Sequence, residues 1–122
     1  SLHDALPISS DIVSVHAPLN QYTERLMDEA AFRKMRPHAI FLNLGRGQIV
    51  EEYALAAALN QNQIAAAGLD VLAKEPMSED SPLRSIQESR RLLITPHIGW
   101  ASVESRTRLM EIIAGQISSF FS

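Results

Sequence analysis

The sequence contains no cysteine. That absence removes disulfide scaffolds, thiolate metal sites and cysteine nucleophiles at once. No apolar run approaches the length of a membrane span, and no stretch joins a charged start to an apolar middle as a signal peptide would. Basic charge is also scarce. Eleven Lys and Arg stand against 14 Asp and Glu, a net charge of −3, and apart from Arg90-Arg91 the basic residues are dispersed. A nucleic acid or an anionic membrane held by electrostatics is therefore not expected as a partner, and a cytoplasmic location is the default. Ser14, Ser78 and Ser102 lack the Gly-x-Ser-x-Gly surroundings of a hydrolase nucleophile. No His, Asp or Glu set stands at metal-ligand spacing, so no metal is expected.

What remains is an ordinary globular composition, 46% hydrophobic and 20% charged over 122 residues, enough for one domain with a real core. Residues 1–9, which include His3, carry no periodic pattern and do not begin with Met. They read as a truncated start or a cloning remnant, leaving a domain over 10–122. Within it a β-branched run at 10–15 reads as a buried strand, stopped by Pro18. Asp28 suits an N-cap for a helix with Ala31, Phe32 and Met35 on one face, ended by Arg36-Pro37-His38. A second strand follows at 39–44. The turn after it leads into a helix start near Gln48 to Val50, and a second helix spans 51–60 with Leu55, Ala58 and Leu59 inward. Asn62 stands where a left-handed residue closes a helix. A third strand is expected at 64–69, then a loop over 71–89 with a short helical turn near Leu83 and Ile86, and a fourth strand at 91–94. Ser102 caps a long last helix to about Phe120, with Val103, Met110, Ile113, Ile117 and Phe120 as its apolar seam, widened by Leu109 and Ile112.

This alternation of strands and helices predicts an α/β fold with a parallel sheet covered by helices. Parallel strands present their C-terminal ends on one edge, where ligands bind in open α/β sheets. Arg46, Asp70 and His97 all fall at such ends and should converge. Arg46 lies between Gly45 and Gly47, whose small size lets a carboxylate or phosphate approach the guanidinium bidentately. Gly45-x-Gly47 itself is not a phosphate loop, since the third glycine and the long helix start do not fit one. His97 can move a proton near neutral pH. A carboxylate such as Glu75 beside it would favour the protonated imidazole and fix its tautomer. An acid beside a carboxylate clamp is what reducing a 2-keto acid requires, with the hydride coming from a cofactor. Taken singly, His97, Glu75 and Asp70 could each serve a loop instead. His16 and His38 read as structural or surface residues without an evident partner.

Four motifs carry a resemblance. His16-x-Pro18-Leu19 with Thr23, Asn43-x-Gly45-Arg46-Gly47-x-x-Val50, Ala67-Gly68-Leu69-Asp70-Val71 with Glu75-Pro76, and Thr95-Pro96-His97-Ile98-Gly99 stand in the order and spacing of the D-2-hydroxyacid dehydrogenases. The chain resembles that family from about residue 11 to its end, and Trp100, where many members have a second Gly, looks most like the glycerate dehydrogenase or hydroxypyruvate reductase branch. The resemblance implies the second half of a Rossmann-type domain and NAD(P)H-dependent reduction of 2-keto acids. It further implies that Arg46 binds the substrate carboxylate, that His97 is the acid/base and that Glu75 supports it. Asp70 would be the carboxylate near the nicotinamide, and Pro18, Thr23, Leu44, Gly45 and Gly99 would line the cofactor along with Arg46 and His97. A homodimer through this domain is implied as well.

The family's Gly-x-Gly-x-x-Gly turn and the acidic residue after the next strand, which discriminates NAD from NADP, are not in this sequence. The chain alone is therefore expected to be inactive, with weak cofactor binding at most, and to leave an edge and a face of its sheet uncovered. The alternative is a non-catalytic dinucleotide-sensing or protein-binding module on the same fold. A pure binding module has no physical need for an intact clamp, acid and carboxylate set.

Overall fold

A computed structural model describes residues 9–122 of the chain. Four parallel strands form one sheet in the order β1-β2-β3-β4: β1 (Ile12–Val15), β2 (Ile40–Asn43), β3 (Ala66–Leu69) and β4 (Leu92–Ile94). The expected residues 1–9 segment lies almost wholly outside the described part. Helix α1 (Glu29–Arg33) follows β1, α2 (Glu52–Asn60) follows β2, and α3 (Val103–Phe121) follows β4.

Local chemistry explains most boundaries. Asp28 accepts from the Ala31 amide and starts α1, as its residue type predicts. Asn62 takes φ 57° beyond α2, where a left-handed residue ends the helix. Ser102 accepts from the Ser105 amide and opens α3. Two expectations need correction. α1 ends at Arg33 rather than running through Met35. The stretch from Gln48 to Val50 does not begin a helix; Gly47–Ile49 form one 3-10 turn. The reason is backbone pairing: the Gln48 and Ile49 carbonyls accept from Arg25 and Met27, and the Glu51 amide donates to Met27. Those groups are spent before α2 can use them.

The core lies on one side of the sheet. Phe32 of α1 meets Phe41 of β2 edge-on at 5.2 Å between centroids, and Leu55 and Leu59 of α2, Ile49 and Ile64 close around them, all fully buried. Such an aromatic pair contributes about 1 kcal/mol beyond its area. The other face is bare: Ile12, Ile40 and Leu93 are 60%, 38% and 68% exposed. The strand order accounts for this. Every crossover steps the same way across the sheet, and right-handed crossovers then lie on a single face. The sheet is thus covered by helices on one face only, in line with the expectation that one face would be left uncovered. The predicted seam of α3 is likewise uncovered, with Val103 at 74% and Phe120 at 82% exposure and none of its residues buried.

At the N-terminal edge of the sheet Arg91 acts as a staple. Its guanidinium donates to the Ala65, Leu59 and Ile64 carbonyls and to Asn62 Oδ1, at 2.6–2.8 Å. It joins the start of β4 to the end of α2 and the approach to β3. Arg91→Met should cost about 2–4 kcal/mol, because three carbonyls lose a charged donor. Urea unfolding of the two proteins measures the difference.

Candidate active site

The chemistry gathers at the C-terminal edge of the sheet. Asn43, the last residue of β2, is fully buried. Its amide nitrogen donates to the Arg46 carbonyl at 3.0 Å, and its oxygen accepts from the Gly45 amide at 3.0 Å. A strand that ends in this side chain presents Arg46 outward. The guanidinium rests on its own neighbour, donating to the Gly45 carbonyl at 2.9 Å, and is otherwise open to a ligand. Leu44 beside it is 45% exposed.

Asp70 follows β3 and is largely buried. Its Oδ1 accepts from Thr95 Oγ1 at 2.6 Å and from the Ile98 amide at 2.9 Å, and its Oδ2 accepts from the Gly99 amide at 2.8 Å. Burial works against the charge, but the Thr95 hydroxyl and the two amides, with His97 nearby, hold the carboxyl below its ordinary range. This carboxylate pins the loop after β4. His97 sits in that loop at φ 55°, a left-handed conformation uncommon for a side-chain residue. Its carbonyl accepts from the Trp100 indole at 2.9 Å. Gly99 is needed where it is, since a Cβ there would stand 2.9 Å from Asp70 Oδ2.

Glu75 meets His97 with Oε2 2.9 Å from Nδ1, while Oε1 accepts from the Leu72 amide at 3.0 Å. The imidazole and the amide hold the Glu75 carboxyl below its usual range. With Nδ1 taken, Nε2 is the ring nitrogen left for a ligand. Arg46, Glu75 and His97 line one cleft of about 240 Å³ together with Gly47, Gln48 and Leu72. The structure therefore brings Arg46 and His97 together as the strand-end argument predicts, with Asp70 bonded to the His97 loop and Glu75 joining them from the loop after β3. Pro18 and Thr23 lie in the loop after β1, closed by Thr23 Oγ1 donating to the Pro18 carbonyl at 2.6 Å.

Sequence reasoning missed several partners. Asn43 and Thr95 stand in two of the motifs, but their bonds to the Arg46 and Gly45 backbone and to Asp70 were not read from them. His38 has a partner after all, Asp11 Oδ1 at 2.7 Å, and His16 meets Ser14 Oγ at 2.7 Å. Both pairs are exposed and lie outside the cleft. Among the described residues no group of three acidic or histidine side chains is placed to hold a metal ion, and no helix is long and apolar enough to cross a membrane.

Comparison with known proteins decides the family. Residues 1–99 match the D-isomer specific 2-hydroxyacid dehydrogenase, NAD binding domain. The chain belongs to that family. This dehydrogenase domain is 41% identical over 117 residues to a hydroxypyruvate reductase of Blautia hydrogenotrophica, covering 96% of the chain and 35% of the relative. It is 47% identical over 103 residues to glyoxylate/hydroxypyruvate reductase B of Cronobacter sakazakii, covering 84% and 31%. Among solved structures, an acyclic imino acid reductase (Bsp5) in complex with NADPH and D-Arg superposes with a TM-score of 0.85 at 34% identity, over 98% of this chain and 37% of that one. The NAD-complexed D-isomer specific 2-hydroxyacid dehydrogenase of Lactobacillus delbrueckii ssp. bulgaricus gives 0.82 at 28% identity, over 98% and 40%. The domain spans about a third of the length of the curated relatives it matches.

Both site carboxylates have lowered folded-state values. Their stabilisation is complete above the unfolded values of about 3.9 for Asp and 4.3 for Glu, and is lost as pH falls through the folded ones. The melting temperature should therefore drop on acidification below about pH 4. Asp70→Asn should destabilise by about 2 kcal/mol at neutral pH, since its amide group cannot accept from all three donors, and should flatten that acid slope. Calorimetry from pH 7 to 3 on both proteins checks this.

Proposed function

We propose that residues 10–122 are the part of an NAD(P)-binding domain that carries the catalytic residues of a 2-hydroxyacid dehydrogenase, acting on a small 2-keto acid such as hydroxypyruvate. The observation that carries this is the Glu75–His97 pair at 2.9 Å in one cleft with Arg46. The planar guanidinium suits a bidentate grip on the substrate carboxylate and fixes the adjacent carbonyl in a plane. His97, turned by Glu75, hands a proton from Nε2 to the carbonyl oxygen as negative charge develops there, and takes it back in the reverse direction.

The residues fit the nicotinamide end of a dinucleotide. Leu44 and Ile98, 45% and 51% exposed, offer an apolar rest at the strand ends, and the sequence holds no glycine turn for a pyrophosphate. When bound, the nicotinamide supplies the hydride. Pro18, Thr23, Leu44, Gly45 and Gly99 would hold it beside Arg46, Asp70 and His97. All three acceptor bonds of Asp70 go to the His97 loop, so its part in this reading is to set that loop against the ring. The same reading gives the whole protein a cytoplasmic location and a homodimeric state.

Arg46→Gln in the full-length reductase should lower kcat/KM for hydroxypyruvate by roughly 30- to 1000-fold, about 2–4 kcal/mol of transition-state binding. The assay is NADH and NADPH oxidation with hydroxypyruvate. Unchanged turnover would overturn the assignment.

A further inference from the structure

Glu75 sits on an irregular, exposed loop after β3, so something else must aim it at His97. One of its oxygens is fixed to the Leu72 amide three residues back, which passes the question to the backbone at Leu72 and Ala73. Three contacts hold that backbone, all from the segment that begins at Arg46. Gly47 lies so close that a Cβ on it would stand 1.9 Å from the Leu72 carbonyl carbon and oxygen. Gln48 Nε2 donates to the Ala73 carbonyl at 3.4 Å. Glu52 Oε2 accepts from the Ala73 amide at 3.1 Å.

From this we infer that Glu52, at the first turn of α2, is a positioning residue for the Glu75–His97 pair, acting through the Ala73 amide. An acid in a first helical turn ordinarily serves the helix dipole, for which proximity suffices. Glu52 does more: its carboxylate reaches a backbone amide 21 residues along the chain. The consequence is mechanical. The substrate clamp at Arg46 and the carboxylate that orients His97 belong to one braced unit, so the distance between clamp and proton donor is fixed before any ligand binds. The inference rests on the catalytic reading of His97, but its test does not require turnover.

The test follows two signals by NMR in the 122-residue chain: exchange of the Ala73 amide and the pH titration of the Glu75 side-chain carboxyl. The other ionisable groups that bear on this carboxyl are His97 and Asp70, which the variants leave in place. Glu52→Gln keeps an acceptor oxygen at the same reach and should leave both signals as in the parent. Glu52→Asp keeps the charge at the helix start, and with it α2, but is one methylene too short. It should quicken Ala73 exchange about tenfold, the loss of one hydrogen bond, and move the Glu75 titration up toward the ordinary glutamate range. Faster Ala73 exchange with an unmoved Glu75 titration would reduce Glu52 to a structural role and overturn the proposal. So would Glu52→Asp matching the parent while Glu52→Gln does not, since charge alone would then be at work. Failure of hydroxypyruvate turnover in the full-length protein would overturn the catalytic reading and leave these two signals as they are.

Discussion

The arrangement of the site depends on one carboxylate. Asp70 gathers the Thr95 hydroxyl and the amides of Ile98 and Gly99, and through them shapes the turn in which His97 takes its left-handed conformation. Backbone strain of this kind persists only where its surroundings over-determine it. Here an ionised acceptor meets three donors in a partly dry place, where each bond is stronger than it would be in water. Without that anchor the imidazole would have no fixed direction from which to meet Glu75.

A second constraint comes from topology. Because β1 to β4 are laid down in order, each crossover returns on the same side of the sheet. The buried side carries Phe41, Val15 and Leu69, and the other carries Ile12, Ile40 and Leu93 in the open. The ends of the strands are not affected by this asymmetry. Arg46, Asp70 and His97 sit on the loops of three neighbouring strands, which strand pairing brings to one edge. A sheet with one bare face can therefore still build a complete side-chain cluster along its edge.

Much of this was legible in the sequence. β-branched and apolar runs marked the four strands to within a residue or two, and Asp28, Asn62 and Ser102 marked helix ends through chemistry that acts over three or four residues. The convergence of Arg46, Asp70 and His97 followed from parallel pairing, and the place of Glu75 beside His97 from carboxylate–imidazole chemistry and the motif resemblance. What escaped the sequence was long-range: the backbone pairing of residues 25–27 with 48–51, which turns an apparent helix start into a single 3-10 turn; the reach of Asp70 across 25 to 29 residues; and the partner of His38 in Asp11. The last helix runs where its Ser102 cap and periodicity place it, but none of its residues is buried. Its apolar periodicity is real, but periodicity does not say whether a partner surface is present.

The protein contains a single tryptophan. The indole of Trp100 donates to the carbonyl of His97, which places the chain's one strong near-ultraviolet fluorophore on the turn that Asp70 shapes. Being 59% exposed, it is sensitive to its solvent surroundings as well as to that bond. The emission spectrum of the unmodified protein is therefore a local signal, reporting the state of the histidine loop without any label.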